Sequence, residues 1–330
     1  LTPDYGTDPT LDASDAKRAT TLVRPRVSGL PMQSSRAQTD WRYVVTIRTI
    51  LVGASGGTAS GGAIELACQF AGRFEAHLEG FHVRLDPEHL VTAAGGGGFV
   101  MPSDGWIDQM TADAGAIAAK AKTAFTATVQ RHGLTMAEMP PRVGPSAAWR
   151  DETGYAPLLL PRRARFFDLV VLGRSERVVE QPHTDTIEET LIHSGRPVLL
   201  APAQAPVTIG STIAVGWNGS PQAVRALAGS LPFLAAAHAI VIITIGDKHE
   251  DSVASLEQYF GWQGLAGEVR HVPLASRAHP GDQLLAAAHD EGADLLVMGG
   301  YGHTPWREQI FGGATREVIG VSRLPVLISH

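Results

Sequence analysis

From Thr46 to the end of the chain, short β-branched runs alternate with longer stretches of helical period, a pattern that predicts β-α-β units on a parallel sheet. Strands are expected at Thr49–Val52, His77–Val83, Leu169–Leu172, Val198–Leu200, Ile213–Val215, Ile240–Ile245, Leu295–Met298 and Val326–Ile328. Helices are expected between them, at Gly62–Phe74, Met110–His132, Ala223–Leu234, Ser252–Phe260 and Gly281–Glu291. Residues 1–43 are rich in Thr, Ser, Asp, Arg and Pro and have no sustained apolar period, so they are read as a disordered extension outside the fold.

The pattern repeats. Ile50-Leu51-Val52-Gly53 answers to Ile213-Ala214-Val215-Gly216, the run Asp168 to Gly173 to the run Asp294 to Gly299, and Pro197-Val198-Leu199-Leu200 to Pro325-Val326-Leu327-Ile328. Two copies of one α/β unit are therefore expected, a first domain at 44–203 and a second at 207–330. The first copy is the longer, with an insertion expected at about 86–112, where Gly95 to Gly98 suggests a flexible loop. The Pro-containing stretch Ala201 to Pro206 is too short to hold the copies apart, so they are expected to pack together.

Composition narrows the function. A chain of 330 residues suits two domains, and 27 Lys+Arg against 33 Asp+Glu give a net charge of −6, with no positive field for nucleic acid or an anionic membrane. The single cysteine, Cys68, excludes an internal disulfide and fits a reducing compartment. Ala226 to Gly246 carries no Asp, Glu, Lys or Arg, but Pro232 and His238 interrupt it and its character changes from Ala/Leu-rich to β-branched. It is read as a buried helix followed by a buried strand, not as a membrane span. No signal-peptide pattern opens the chain, and the expected location is the cytoplasm.

Ligands of open parallel sheets bind outside the carboxyl ends of the strands, where strand order reverses. There the sequence reads Met298-Gly299-Gly300-Tyr301-Gly302, then nine residues, then Gly312-Gly313-Ala314-Thr315 opening a helix through Val318-Ile319. Glycines admit an anion close to the backbone, and the amides of Gly313, Ala314 and Thr315 at a helix start would favour its charge. The bland alternative is a tight turn followed by an ordinary helix start. His303, Arg307 and Arg316 flank the segment and offer charge to a phosphate, or are simply solvated.

These residues resemble the nucleotide-binding pattern of the universal stress protein family, and the chain from Thr46 to His330 is similar to its tandem two-domain form. Gly299, Gly302 and Gly312 match the pattern; Gly313 stands where the family has a hydroxyl residue, and Thr315 matches a second hydroxyl position. The resemblance implies two Rossmann-like or flavodoxin-like (adenine nucleotide alpha hydrolase-like) domains, each with a mostly parallel five-stranded sheet. In the loop after the first strand of the second copy, Gly216-Trp217-Asn218, Asn218 takes the place of the family's nucleoside-contacting Asp. Trp217 either packs on adenine or fills space under the sheet, and Ile245 matches the apolar wall of the base pocket. Met298 and Tyr301 complete the candidate set.

The first copy departs from the pattern. Arg174-Ser175-Glu176-Arg177 follows its Gly173, Glu188 and Glu189 stand near the phosphate position, and Ser55 replaces the Asp. Nucleotide binding is read as lost there. Its loop fails as a P-loop, because Gly62-Ala63 follows the Gly56 and Gly61 spacing in place of Lys-Ser/Thr. The histidines are dispersed, no zinc or nucleophile motif stands out, and Cys68 is read as a buried thiol.

The resemblance implies a cytoplasmic stress-response protein that binds ATP or another adenine nucleotide, with Mg²⁺, in its second domain, as a regulator and not a fast enzyme. The first domain would serve as its pairing partner. Pro325 to Ile328 and Pro197 to Leu200 are the candidate edges for pairing within the chain or in a homodimer. The alternatives are an interaction protein that binds no nucleotide, and a slow ATPase, for which Tyr301 and Thr304 are poor bases and Glu308 is unplaced.

Overall fold

The computed structural model describes residues 46–87, 104–140, 144–174, 181–246, 250–275, 279–300, 315, 318–319 and 322–330. Residues 1–43, the Gly95 to Gly98 loop and the segment 301–314 lie outside them. In chain order the elements of the first half are β1 Thr49–Gly53, α1 Thr58–Arg73, β2 His77–Leu85, α2 Asp104–Arg131, β3 Thr135–Met136, β4 Ser146–Gly154, α3 Ala156–Ala164, β5 Leu169–Gly173, α4 Gln181–His193 and β6 Val198–Ala201. Those of the second half are β7 Thr212–Gly216, α5 Pro221–Leu234, β8 Ala239–Ile245, α6 Glu250–Trp262, β9 Glu268–Val272, α7 Pro280–Asp290, β10 Leu295–Gly299 and β11 Val326–Ser329.

The eleven strands form one sheet in the order β3-β4-β2-β1-β5-β6-β11-β10-β7-β8-β9. Every neighbouring pair is parallel except β6 and β11, where Leu200, Leu199 and Val198 face Val326, Leu327 and Ile328 in antiparallel register. Six strands come from the first half, one more than the five expected, because the two-residue β3 adds an edge beside β4. Inner strands such as β6 and β11 are buried along their whole length, since helices cover both faces of the sheet. The uncharged stretch from Ala226 divides as its composition suggests, into the end of α5 and then β8. Among the described residues no helix is long and apolar enough to cross a membrane.

One face of the sheet is covered by α1, α2, α5 and α6 through a single apolar cluster that runs across both halves, and the other by α3, α4 and α7. At the centre of the first face Phe70 of α1 and Phe74, which caps it, meet Phe233 of α5 edge to face, with ring centroids 5.0 and 5.3 Å apart. Gln69 and Arg73 on α1 donate to the carbonyls of Pro206 and Ile209 in the connection to β7. Helix α5 starts where Ser220 accepts from the Ala223 amide and Pro221 occupies the first turn.

The repeated Asp has a structural task. Asp168 accepts from the amides of Arg48 and Thr49 and from the Thr49 hydroxyl, and Asp294 accepts from the amides of Gly210, Ser211 and Thr212. Each carboxylate fastens the amino end of the first strand of its half, and so leaves the carboxyl ends for chemistry. The first half is longer mainly in α2, 28 residues against 13 for α6, and in β4, nine against five for β9.

Candidate functional site

In the second half, strand order reverses between β7 and β10, and Met298 of β10 lies in register with Gly216 of β7. This brings four of the candidate residues, Gly216, Trp217, Met298 and Gly299, together at the carboxyl ends of β7 and β10. Gly299 can only be glycine: a Cβ there would stand 2.5 Å from the Ala223 amide nitrogen at the start of α5. A Cβ on Gly300 would meet Ile328 Cγ2 at 2.6 Å and lie 3.6 Å from Thr315 Cγ2, which brings buried Thr315 to the same turn. The Gly300 amide donates to the Ser329 carbonyl, fixing the turn against β11.

The loop after β7 is assembled differently from its simplest reading. Trp217 is 8% exposed, its backbone amide donates to Ile243 O and its indole N–H donates to Ser252 on α6, so the ring fills the space between sheet and helix. Asn218 is exposed, with Oδ1 accepting from the Ser220 amide, which turns its Nδ2 hydrogens into the groups left for a ligand. Ile245 is half-buried at the carboxyl end of β8 and packs on the α7 face. Tyr301, Gly302, Gly312, Gly313 and Ala314, with His303, Arg307 and Arg316, lie outside the residues whose side chains are described.

The first half carries a feature that the sequence did not announce. A cavity of about 390 Å³ opens at the carboxyl ends of β1, β2 and β5, between α2 and the start of α3. Its walls include Gly53, Phe81, His82, Ile117, Leu160 and Ile187. His82 is 3% exposed, and its Nδ1 lies 2.6 Å from the Ala54 carbonyl oxygen. A carbonyl only accepts, so Nδ1 carries the proton, and in that tautomer Nε2 is the acceptor. The one sequence signal was a histidine between Phe81 and Val83 in a strand; much of the remaining wall comes from β4, α2, α3 and α4, which no motif marks.

Arg174, which follows β5 where the second half has Gly300, leaves this cavity altogether. It is buried and donates to the carbonyls of Val318 and Ser322, shortly after Thr315 in the chain. Glu189 pairs with His193 on α4. On the α3 side Arg163 makes a two-pronged ion pair with buried Glu79, and that bond raises the guanidinium pKa further. Burial, with the nearby Glu65 charge, pushes the Cys68 thiol up to about 12, which leaves no thiolate for nucleophilic work. Among the described residues no group of three or more His, Cys, Asp or Glu is placed to hold a metal.

The sequence pattern of the universal stress protein family matches residues 211–330. A universal stress protein of Synechocystis is 29% identical over 167 residues, covering 49% of this chain and 57% of that protein. One from Methanocaldococcus jannaschii is 39% identical over 49 residues, 15% of this chain and 30% of that protein. The chain thus spans little more than half of the first relative and under a third of the second. The crystal structure of a universal stress protein from Archaeoglobus fulgidus superposes with a TM-score of 0.61 at 16% identity, over 85% of this chain and 97% of that one, a likeness of fold.

Proposed function

Since the chain belongs, through residues 211–330, to the universal stress protein family, we propose that its second half binds ATP or another adenine nucleotide, with Mg²⁺, as a sensor or regulator in the cytoplasm. The observation that carries this reading is the Gly299-Gly300 turn at the point of strand reversal, too crowded for any side chain and bordered by Thr315. Such a turn lets backbone and hydroxyl approach phosphate oxygens. On this reading Thr315 and the Gly312-Gly313-Ala314 amides hold phosphate, Gly302 lines the opposite side, Asn218 donates from Nδ2 to the ribose, and Met298, Tyr301 and Ile245 border the base. Trp217 supports the loop from beneath. The nucleotide is held more than it is turned over, because the pattern brings no general base to the phosphate.

We infer further that 44–203 and 207–330 are two domains whose last strands pair within one chain, the first domain stabilising the second. The antiparallel β6 and β11 and the shared Phe70, Phe74 and Phe233 contact support this arrangement. The test is calorimetric titration of the full chain with ATP and Mg²⁺, together with mass spectrometry of small molecules released on denaturation. One adenine nucleotide per chain is expected, with binding weakened more than tenfold in Gly302→Val. Absence of both released nucleotide and titration heat would remove the nucleotide reading and favour an interaction protein; rapid release of phosphate would make it an enzyme.

A further inference from the structure

We propose that the cavity of the first half is a binding site for an uncharged small molecule with an apolar body and a single hydrogen-bond donor, which bonds to His82 Nε2. Its volume of about 390 Å³ falls within the range of small-molecule pockets, roughly 300–1,000 Å³. Phe81, Leu160, Leu172 and Ile187 supply its floor, and Leu85, Ile117 and Tyr155 stand at least 38% exposed at its walls. Large apolar side chains left in water around a concave apolar site mark a place where a ligand would bury them.

Charge argues against a nucleotide here. Among the described residues the ionisable lining groups besides His82 and Tyr155 are Arg84, whose Nε lies 2.9 Å from Asp151, and Asp113, which would repel phosphate. Arg174 is committed to the carbonyls of Val318 and Ser322. The first turn of α1 has no side-chain cap at Gly57, but Ser60 spends both its amide and its hydroxyl on the Gly57 carbonyl. Besides the hydroxyls of Ser55, Tyr155 and Thr186, the described lining offers His82, 3% exposed and with Nδ1 held by Ala54, so its Nε2 acceptor selects a hydroxyl or N–H.

The probe is N-phenyl-1-naphthylamine, an uncharged diaryl amine with one N–H whose fluorescence rises in apolar surroundings, titrated into the full chain. Saturable binding at one probe per chain is expected. Ala114→Trp fills the cavity from α2 at a half-exposed position and should abolish binding, while His82→Phe should weaken it about tenfold, the effect of one buried hydrogen bond. The N-methylated probe, which lacks the donor, should bind the unaltered protein about tenfold more weakly, a comparison that does not depend on how His82→Phe folds. Excess ATP with Mg²⁺ should leave the probe in place. No binding, undiminished binding in Ala114→Trp, equal affinity for the methylated probe, or displacement by ATP would each overturn the assignment. None of these outcomes bears on nucleotide binding in the second half, which Gly302→Val tests separately.

Discussion

Glu65 on α1 shows how one residue responds to competing effects. Burial raises the pKa of its carboxyl, but the hydrogen bond and charge of His132, 2.6 Å away, and of Arg131 outweigh burial and hold it below the ordinary carboxylate range. A carboxyl with a depressed folded pKa adds stability above its unfolded pKa and loses it as pH falls through the folded one. Glu65→Gln should therefore cost up to about 1 kcal/mol at pH 7, a difference that fades below about pH 4. Urea melts of both proteins across that range measure it, and a difference constant with pH would reject the ion pair as its source. Cys68 makes a simpler case: with its thiol pushed up to about 12 and fully buried, it should ignore an aromatic disulfide reagent at pH 8 and react only on unfolding. Gly173 is the most crowded of these positions, since a Cβ would stand 2.0 Å from the Ala59 carbonyl oxygen. Gly173→Ala should cost several kcal/mol, about 3 or more by the scale of overpacked cores, and a thermal melt unchanged by it would show that α1 can retreat from β5.

Among the elements, α1 and α5 carry the contact between halves. Phe233→Ala should cost about 3–5 kcal/mol, because Phe233 is fully buried against Phe70 and Phe74. Denaturant unfolding followed at both near- and far-ultraviolet wavelengths would reveal this loss, and a cost near zero would mean that the halves hold together by β6 and β11 alone. Legibility in the sequence follows the same physics. Strands buried on both faces, such as β1, β5 and β10, are continuous apolar runs and stand out. β4 was not legible because only Ser146, Ala147 and Ala148 are buried, while Arg150, Asp151 and Glu152 run on toward solvent. α3 was hidden by Pro157 in its first turn and Pro161 in its interior, and α4 by a polar opening in which Ile187 and Leu191 are the apolar anchors. The candidate site divides in the same way. Met298, Gly299 and Gly216 could be found because glycine spacing at strand ends is a local signal, whereas the first-half cavity is assembled from elements far apart in sequence. Trp217 could be placed in its loop, but its bond to Ser252 on α6 depends on tertiary packing that the sequence pattern does not carry.

For the molecule as a whole, Arg174 is the clearest link between halves on the ligand-facing side. Arg174→Ala would leave the Ser322 carbonyl without its buried side-chain donor, at a cost of about 1–3 kcal/mol, while the Val318 carbonyl keeps the Ser322 amide. Because those carbonyls lie a few residues beyond Thr315 in the chain, nucleotide affinity should fall as well; calorimetry on this variant checks it, and an unchanged affinity would confine Arg174 to stability. The sheet order has another consequence, for synthesis on the ribosome. The first half can form as soon as β6 emerges, but β11, the strand that covers β6, follows every other strand of the second half. Until then the nascent chain presents Val198 to Ala201 as an open, wholly apolar edge, the kind of template on which strands of neighbouring chains pair. Translation speed across the second half thus sets how long that edge stays open, and slowing it should divert more of the product into aggregates.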